Sequence, residues 1–383
     1  MKLAERFSDW QPSGMMRMFS EIDRTEGALN LSIGEPDFNT EPDIIDAAAK
    51  AAREGCTHYP PLKGFADVRE SVAAYWNRHH GLKVNPEEVM MTVGSLQASR
   101  LVFDVMLNPG DEVLLLEPYF TVYATQVRDS GGVPVGIPTR SENNLAPTAE
   151  DLRRAATPGT RGIVVNSPGN PSGSTYTREQ LETIAAFAAE HDLFVISDEI
   201  YESMVFSGKH ICFSTLPEMH GRTITMGGLS KSHCMTGWRV GYVMAPENLL
   251  RMMCLLSSSQ TYGVCTLAQK GARYALDTQD EKVKERSAIF GARMRAVEER
   301  LNAMKGVHCR PAAGAFYLFP DIRDTGLPCE EFSMRLLKEA KVGVLPGSAF
   351  GASAAGYIRI ACTQSQETLM RAMDAMEKFV NAL

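Results

Sequence analysis

Lys231 and Arg239 are the residues whose types and spacing most clearly suggest covalent chemistry. They lie eight positions apart (239 − 231), at the two ends of a segment of small and turn-prone residues. A lysine that forms a Schiff base must be able to lose its proton, and the pKa of lysine shifts readily on burial. An arginine stays charged, and its planar fork binds two phosphate oxygens. The pair therefore suggests a covalent lysine near a bound phosphate, although this spacing alone is not specific.

Four further motifs accompany the Ser230–Arg239 segment along nearly the whole chain. They are Ile33–Phe38, Asn166–Gly173, Ser197–Tyr201 and Tyr357–Ile360. With Lys231 and Arg239 they resemble, in order and spacing, the pyridoxal-phosphate signature of the class I and II aminotransferases of fold type I. The Ser230–Arg239 segment is similar to that of the bacterial aspartate and broad-specificity aminotransferases. One such motif would be weak evidence for the resemblance, whereas five motifs in the same order and spacing are specific evidence.

The composition is that of a globular protein large enough for two domains. The chain has 383 residues, 44% hydrophobic and 22% charged, with a formal net charge of −7, and single cores stop growing near ~250–300 residues. The negative charge argues against a nucleic-acid partner. The charged start, from Met1 to Arg6, argues against a signal peptide. No apolar stretch approaches the ~20 residues of a membrane span.

The cysteines predict neither a metal site nor a disulfide framework. The eight cysteines lie far apart and include no Cys-x-x-Cys pair. In a chain of this size they indicate reduced, mostly buried thiols and a cytoplasmic location. Cys234 lies three residues from Lys231, and we expect it to be a packing thiol rather than a reactive one.

Short apolar runs alternate with helical patterns, which predicts an α/β fold with a mostly parallel sheet. Helical patterns include Leu96–Val105, Phe120–Ser130 and Arg178–His191. The expected strands are Val89–Val93, Val113–Glu117, Val133–Ile137, Gly162–Asn166, Phe194–Asp198, Thr223–Met226 and Val240–Met244. These elements predict a large domain with a seven-stranded sheet over residues 46–276.

The remaining residues, 277–383, have the pattern of a smaller α+β layer. A charged helix is expected over Glu281–Met304, and further helices near Glu330–Ala340 and Gln366–Val380. Short strands are expected around Ala315–Phe319, Val342–Leu345 and Tyr357–Ala361. The resemblance implies that residues 1–45 join this part to form the small domain.

Several candidate residues lie where ligands of open α/β sheets bind, beyond the carboxyl ends of the strands. Asn166, Asp198 and the loop before Lys231 all occupy such ends. The resemblance implies that Lys231 anchors pyridoxal 5′-phosphate and carries the proton from the substrate Cα. It also implies that Asp198 pairs with the pyridine nitrogen, and that Tyr201 and Asn170 bind the ring oxygen.

A strand, a glycine turn and a helix follow one another around Gly94, Ser95 and Leu96. The first amides of such a helix favour an anion, so this turn is a candidate phosphate site. The resemblance implies that Arg239 and Ser230 complete the site, and that Tyr59 reaches the phosphate of a neighbouring subunit in a homodimer with shared active sites.

The sequence departs from the family pattern at two positions. Gly228 stands where some relatives have a serine, so the phosphate has one hydroxyl fewer unless Ser230 replaces it. Phe120 stands where relatives place a ring over the pyridine, often a tryptophan, and phenylalanine has no N–H to donate.

The substrate's α-carboxylate requires a bidentate cation, and Arg359 resembles the family's carboxylate arginine. Its neighbours are Ile358 and Ile360, and a charged residue in such a strand is rarely buried without a partner. The resemblance implies that Gly34 and Asn170 assist. The residue that contacts the substrate side chain stays open between Arg17 and the apolar residues Met15, Met16, Met18 and Phe19, which are equally expected to pack an amphipathic arm.

The resemblance implies an enzyme that moves an amino group from an L-amino acid to a 2-oxo acid by a ping-pong route. Aspartate or a broad range including aromatic donors is the expected substrate class. A carbon–sulfur β-lyase, or another elimination or oxidation on the same scaffold, is the alternative, because it would use the same Lys231, Asp198 and Arg239. A non-catalytic ligand sensor is disfavoured, because Lys231 is present and the motifs begin near Ile33.

Overall fold

The structure, a computed structural model, describes residue 1 and residues 13–383. Residues 2–12 lie outside the described residues; they include most of the charged start and part of the predicted small domain. In the described chain the helices are α1 Gly14–Arg24, α2 Pro42–Arg53, α3 Ala66–His80, α4 Gly94–Met106, α5 Val122–Asp129, α6 Ala149–Ala155, α7 Arg178–Glu190, α8 Glu247–Gln260, α9 Thr266–Thr278, α10 Asp280–Asn302, α11 Cys329–Ala340 and α12 Gln366–Asn381. The strands are β1 Leu29–Asn30, β2 Val89–Thr92, β3 Glu112–Glu117, β4 Val133–Pro138, β5 Thr160–Asn166, β6 Phe194–Asp198, β7 Thr223–Gly228, β8 Gly241–Met244, β9 Tyr317–Leu318, β10 Val342–Gly343, β11 Leu345–Pro346 and β12 Ile358–Ala361.

A seven-stranded sheet in the order β2-β8-β7-β6-β5-β3-β4 forms the centre of the molecule. Strands β4, β3, β5, β6 and β7 are parallel to one another, and β8 is antiparallel to both β2 and β7. The prediction of a mostly parallel seven-stranded sheet is therefore confirmed, with each strand boundary within two residues of its expected position.

Helices cover both faces of this sheet because successive strand residues point to opposite sides. Val164 and Ile196 face a core with α4, α5 and α8, whereas Ile163 and Val195 face a core with α6 and α7. The inner strands β6 and β7 are buried throughout, as expected of parallel strands covered on both sides. The carboxyl ends of β5, β6 and β7 are consequently held in fixed positions.

The C-terminal elements form a second core around α10, α11 and α12. Strands β11, β12 and β9 make a small antiparallel sheet, and β1 pairs with β10. The single strand expected around Val342–Leu345 is instead two short strands with different partners, because β10 joins β1 and β11 joins β12. The division at residue 46 stays a prediction, and this boundary falls inside helix α2.

Five helices, α2, α3, α6, α8 and α9, are not among those that the sequence analysis names. Helix α3 buries residues on more than one side, from Val68 to Trp76, so its apolar positions do not form the single stripe that marks an amphipathic helix. None of the helices in the described chain has the length and apolar character needed to cross a bilayer.

Candidate functional site

A cavity of about 300 Å³ lies beyond the carboxyl ends of β5 and β6. It is bounded by the end of the large sheet on one side and by Tyr317 and Arg359 of the small sheet on the other. Predicted site residues that line it are Gly34, Ser95, Leu96, Phe120, Asn170, Asp198, Tyr201, Ser230, Lys231, Arg239 and Arg359. Residues from distant parts of the sequence are thus brought to one place.

Lys231 follows the last residues of β7, and its side chain reaches the N-terminal segment. Its Nζ donates a hydrogen bond to the carbonyl oxygen of Gly34 at 2.6 Å. Burial lowers the pKa of Lys231 to about 8, with Arg359 and Arg239 adding to the effect while Glu35 and Asp198 oppose it. The amine is therefore partly neutral near neutral pH, as a nucleophile or general base requires.

Asp198 ends β6 and is buried. Its Oδ2 accepts a hydrogen bond of 2.5 Å from the hydroxyl of Tyr123, and its Oδ1 accepts one of 3.2 Å from the amide of Ile200. Burial raises the pKa of Asp198, and these hydrogen bonds oppose the rise. A buried carboxylate that two donors satisfy only in part has capacity for a further cationic N–H.

Asn166 ends β5 beside Asp198 and organises the loop that follows it. Its Nδ2 donates to the carbonyl oxygen of Asp198 at 2.9 Å, and its Oδ1 accepts from the amide of Asn170 at 2.8 Å. The register of the sheet pairs Asn166 directly with Asp198. Tyr201 lies three residues beyond Asp198, and its buried hydroxyl is 2.9 Å from that of Tyr317.

At the other end of the cavity, the start of α4 meets Arg239. No side chain caps this helix terminus, and Ser95 and Leu96 line the cavity, so the first amides of α4 are available to an anion there. A Cβ on Gly94, which has φ +68°, would lie 2.6 Å from Nη2 of Arg239, so only glycine allows this approach. Gly94 itself does not line the cavity, but it lets the arginine pack against the helix start.

The neighbourhood of Gly228 explains one departure from the family pattern. A Cβ there would lie 3.1 Å from Cδ1 of Ile200 and 3.3 Å from the Cα of Gly241. A serine would therefore have to displace close-packed neighbours. Ser230, which lines the cavity, is the hydroxyl available instead.

Arg359, on β12, is a buried cation, 2% exposed. One guanidinium nitrogen donates to Oδ1 of Asn170 at 2.9 Å and another to the carbonyl oxygen of Ser32, while its Nε is buried without a hydrogen-bond partner in the described chain. Burial lowers its pKa, and the groups that oppose this are the hydroxyls of Tyr317 and Tyr201 rather than a carboxylate. A buried, incompletely paired guanidinium fits an incoming carboxylate.

Helix α1 shows both roles that were left open for the apolar residues of the N-terminal arm. Met15 and Phe19 line the cavity, whereas Met18 and Ile22 are buried in the adjacent core. Met16 is 53% exposed, and Arg17 is exposed and is not part of the cavity wall. The arm therefore both packs on the C-terminal layer and supplies an apolar wall.

Two predicted residues, Gly94 and Tyr59, lie outside the cavity. Tyr59 is 83% exposed and packs edge-on against Tyr262, with ring centroids 4.8 Å apart. Its predicted contact with the phosphate of a neighbouring subunit stays a prediction. Phe120 lines the cavity and packs edge-on against Tyr123 at 5.6 Å.

Sequence reasoning missed Tyr123 and Tyr317, whose hydroxyls form hydrogen bonds with Asp198 and Tyr201, respectively. Tyr123 is 75 positions from Asp198, and Tyr317 is 116 positions from Tyr201. Neither stands in a motif that the sequence analysis used. Asn166 did carry a signal, because it ends a predicted strand next to the one that ends in Asp198.

The donor set fits an aldehyde cofactor with a phosphate group. It combines a lysine of lowered pKa, a buried carboxylate, an uncapped helix start with an arginine, and an orphaned guanidinium N–H. Across the described ranges, no group of three or more His, Cys, Asp or Glu side chains is placed to hold a metal ion. The eight cysteines are all free, and burial raises the pKa of Cys234 to about 11, which supports its expected packing role.

Comparison with known proteins places the chain among enzymes with this architecture. The family model "Aminotransferase class I and II" matches residues 26–376. The chain is 41% identical to the aromatic-amino-acid aminotransferase 2 of Thermococcus litoralis, over 99% of this chain and 98% of that protein. It is 36% identical to the aspartate aminotransferase of Geobacillus stearothermophilus over the whole length of both. A solved structure of a Thermus thermophilus aspartate aminotransferase mutant superposes with a TM-score of 0.93, at 35% identity and full coverage of both chains.

Proposed function

The chain belongs to the class I and II aminotransferases, and we propose that it uses pyridoxal 5′-phosphate to move the amino group of an apolar or aromatic L-amino acid to a 2-oxo acid. The observation that carries the proposal is the meeting, in one cavity, of Lys231, Asp198 and the incompletely paired Arg359. Each meets one requirement: a deprotonatable amine, an anion for a ring cation, and a cation for a carboxylate.

The cofactor would be held at four places. Lys231 would form the covalent bond, Asp198 would accept from the pyridine N–H, and Tyr201 would donate to the ring oxygen. The amides of Gly94, Ser95 and Leu96, with the Ser230 hydroxyl and Arg239, would hold the phosphate. Asn170 would assist at the ring oxygen, and Phe120 would be the aromatic ring available for stacking. When bound, the cofactor supplies the electron sink for charge that develops at the substrate Cα.

The chain's own residues bind the substrate and move its proton. Arg359 fixes the α-carboxylate through its fork, which orients the Cα towards Lys231. Lys231, with its amine free, would take the proton from Cα, and a pKa of about 8 leaves a useful fraction of neutral amine near neutral pH. Asp198 would stabilise a protonated ring nitrogen through its negative charge.

The apolar wall sets the proposed donor class. Met15, Phe19 and Ile33 face the cavity opposite the large sheet, and Leu96 lies nearby. Within the described residues, the cations in the cavity wall are Lys231, Arg239 and Arg359, and all three have other roles in the proposal. A phenyl or branched side chain gains from burial against these residues, whereas the distal carboxylate of aspartate would lack a cation in this chain. Water exclusion by the same wall strengthens the polar contacts inside.

We also propose a homodimer in which Tyr59 reaches the phosphate site of the partner subunit. Tyr59 and Tyr262 pack against each other and are 83% and 50% exposed, so two large aromatic side chains are presented together at the surface. Light scattering should give twice the mass of the chain. A monomer that retains full activity would refute the shared site.

The test of the proposed function is the visible spectrum of the purified enzyme, titrated with a panel of L-amino acids without an acceptor. We expect a cofactor band that each donor changes and a 2-oxo acid restores. Accumulation of ammonia and pyruvate from a cysteine conjugate, with no restoration, would indicate a β-lyase instead. If no band forms with added pyridoxal phosphate, the proposed function is wrong.

Lys231→Ala should abolish the lysine-bound band and reduce turnover by at least about a hundredfold, because the covalent anchor and the base are lost together. Lys305→Ala, at an exposed lysine, is the matched control and should behave as wild type. The donor class is tested separately by comparing kcat/KM for phenylalanine and aspartate. A clear preference for aspartate would refute the apolar side-chain site and leave the aminotransferase function standing.

A further inference from the structure

Tyr317 is a buried cavity residue that the mechanism above does not use. It is 2% exposed and lies on β9, in the small sheet next to β12, which carries Arg359. Its hydroxyl is 2.9 Å from that of Tyr201, and its ring centroid is 4.6 Å from Cζ of Arg359. One side chain therefore contacts both the residue assigned to the cofactor ring oxygen and the residue assigned to the substrate carboxylate.

The direction of the tyrosine pair follows from the single proton on each hydroxyl. If Tyr201 donates to the cofactor ring oxygen, it can only accept from Tyr317, so Tyr317 is the donor of the pair. Burial raises the pKa of both tyrosines, so both hydroxyls keep their protons around neutral pH. The pair is then a two-step donor chain that ends on the ring oxygen.

Tyr317 also packs against the loop that holds Lys231. A Cβ added at Gly34 would lie 1.8 Å from the Tyr317 hydroxyl oxygen, so the backbone of residue 34 lies directly against it. The carbonyl oxygen of the same residue accepts the hydrogen bond from Lys231. The position of this hydroxyl is therefore fixed on two sides, by Tyr201 and by Gly34.

We propose that Tyr317 is a positioning residue that donates to Tyr201, so that the Tyr201 proton points at the cofactor ring oxygen, and that its ring orients the guanidinium of Arg359 for the substrate carboxylate. The proposal rests on the proposed function, because it takes from it the roles of Tyr201 and Arg359. It assigns two separable effects to one side chain, one carried by the hydroxyl and one by the ring.

The hydroxyl effect should appear in the pH titration of the visible band of the lysine-bound cofactor. Donors in a chain polarise one another, so Tyr201 is a stronger donor when it accepts from Tyr317. A stronger donor on the ring oxygen draws electron density from it and eases loss of the imine proton. Removing the Tyr317 hydroxyl should therefore raise the midpoint of this titration, by about half a pH unit.

The experiment compares Tyr317→Phe and Tyr317→Leu with wild type, and uses Tyr357→Phe as a matched control. Tyr357 lies in the same C-terminal layer, stacks on Phe319 at 5.1 Å and is not part of the cavity wall. Tyr317→Phe should raise the midpoint with little change in KM for the amino acid, because the ring under Arg359 remains. Tyr317→Leu should raise the midpoint similarly and also raise KM roughly fivefold, because the guanidinium loses the Tyr317 ring and keeps the Phe350 ring, whose centroid lies 5.1 Å from its Cζ. Tyr357→Phe should change neither quantity.

The outcomes separate the two proposals. If wild type shows no band with pyridoxal phosphate, the proposed function fails. If the band is present and Tyr317→Phe titrates at the wild-type midpoint, the positioning role is refuted even if that variant is less stable. A midpoint shift in Tyr317→Phe equal to that in Tyr357→Phe would refute it as well. If Tyr317→Leu does not fold, the Tyr317→Phe titration still decides the hydroxyl role.

Discussion

The amine of Lys231 should titrate near pH 8 in the cofactor-free enzyme, well below an ordinary lysine. Burial is the main cause, and the guanidinium groups of Arg359 and Arg239 further disfavour a third positive charge. With a pKa of about 8, about a quarter of the amine is neutral at pH 7.5. A lysine with the usual pKa would be about 0.1% neutral at that pH, so the neutral fraction of Lys231 should be about 200-fold larger.

Competitive acetylation measures this value without the cofactor. The cofactor-free enzyme is treated with trace acetic anhydride between pH 6 and 11, and mass spectrometry follows the peptide that contains Lys231. Exposed Lys305 in the same digest corrects for decay of the reagent. We expect a midpoint about two units below that of a free lysine.

Replacing Glu35 should change the pKa of Lys231 in a predictable direction. It accepts a hydrogen bond from the Thr236 hydroxyl at the rim of the cavity, and its charge raises the pKa of Lys231. Glu35→Gln should therefore move the labelling midpoint to lower pH, whereas Glu54→Gln, at the exposed residue that follows α2, should leave it in place. A wild-type midpoint near pH 10, or an upward shift in Glu35→Gln, would show that burial and the two arginines do not control this amine.

Three further results are expected. Gly34→Ala should raise KM at least about tenfold, measured by steady-state kinetics, because its Cβ would lie 1.8 Å from the Tyr317 hydroxyl oxygen and force the wall apart; an unchanged KM would mean that this wall is pliable. Tyr123→Phe removes the 2.5 Å hydrogen bond that opposes the raised pKa of Asp198, so the acidic limb of the kcat/KM profile should move to higher pH; an unmoved limb would remove Asp198 from that ionisation. Burial alone would raise the pKa of Glu202, but His80 lowers it, and Glu199 raises the pKa of His210 against the effect of burial. Ionised Glu202 therefore stabilises the fold at pH values above the usual glutamate pKa, and this stabilisation is lost as the pH falls through the folded-state pKa of Glu202. Protonated His210 stabilises the fold at pH values below the usual histidine pKa, and this stabilisation is lost as the pH rises through the folded-state pKa of His210. Urea unfolding should show both contributions in full between roughly pH 5 and 6, and His210→Gln should flatten the loss on the alkaline side; an equally steep loss in that variant would exclude His210 as its source.

The large sheet could be predicted from the sequence because its strands are buried apolar runs with helical patterns between them. Phe194–Asp198 is such a run, and its terminal aspartate also marks the site. The prediction was weaker where short segments depend on distant partners. Val342–Leu345 is apolar throughout, and only the pairing of β10 with β1 and of β11 with β12 divides it in two.

The candidate site also contains residues that the sequence predicts and residues that it does not. Residues that carry chemistry in a local motif, such as Lys231 and Asp198, could be predicted from the sequence, and the structure places them at one cavity. Tyr123 and Tyr317 could not, because a buried tyrosine is far more often part of a core than of a site, and their hydrogen bonds form only after distant elements pack. The apolar wall of the cavity could not be predicted from the sequence either. Met18 and Met15 lie on the same apolar face of α1, and only the structure shows that Met18 packs in the core whereas Met15 also lines the cavity.

The two arginines connect ligand binding to the basicity of Lys231. Arg239 lies at the helix start proposed for the phosphate and Arg359 at the site proposed for the carboxylate, and both lower the pKa of the lysine. A bound phosphate and a bound carboxylate would each offset one of these positive charges, so the Lys231 amine should become a stronger base when both are present. The cavity therefore favours a neutral amine while the cofactor is being captured, and a better proton acceptor once the substrate occupies Arg359. This order follows from the positions of the charges alone.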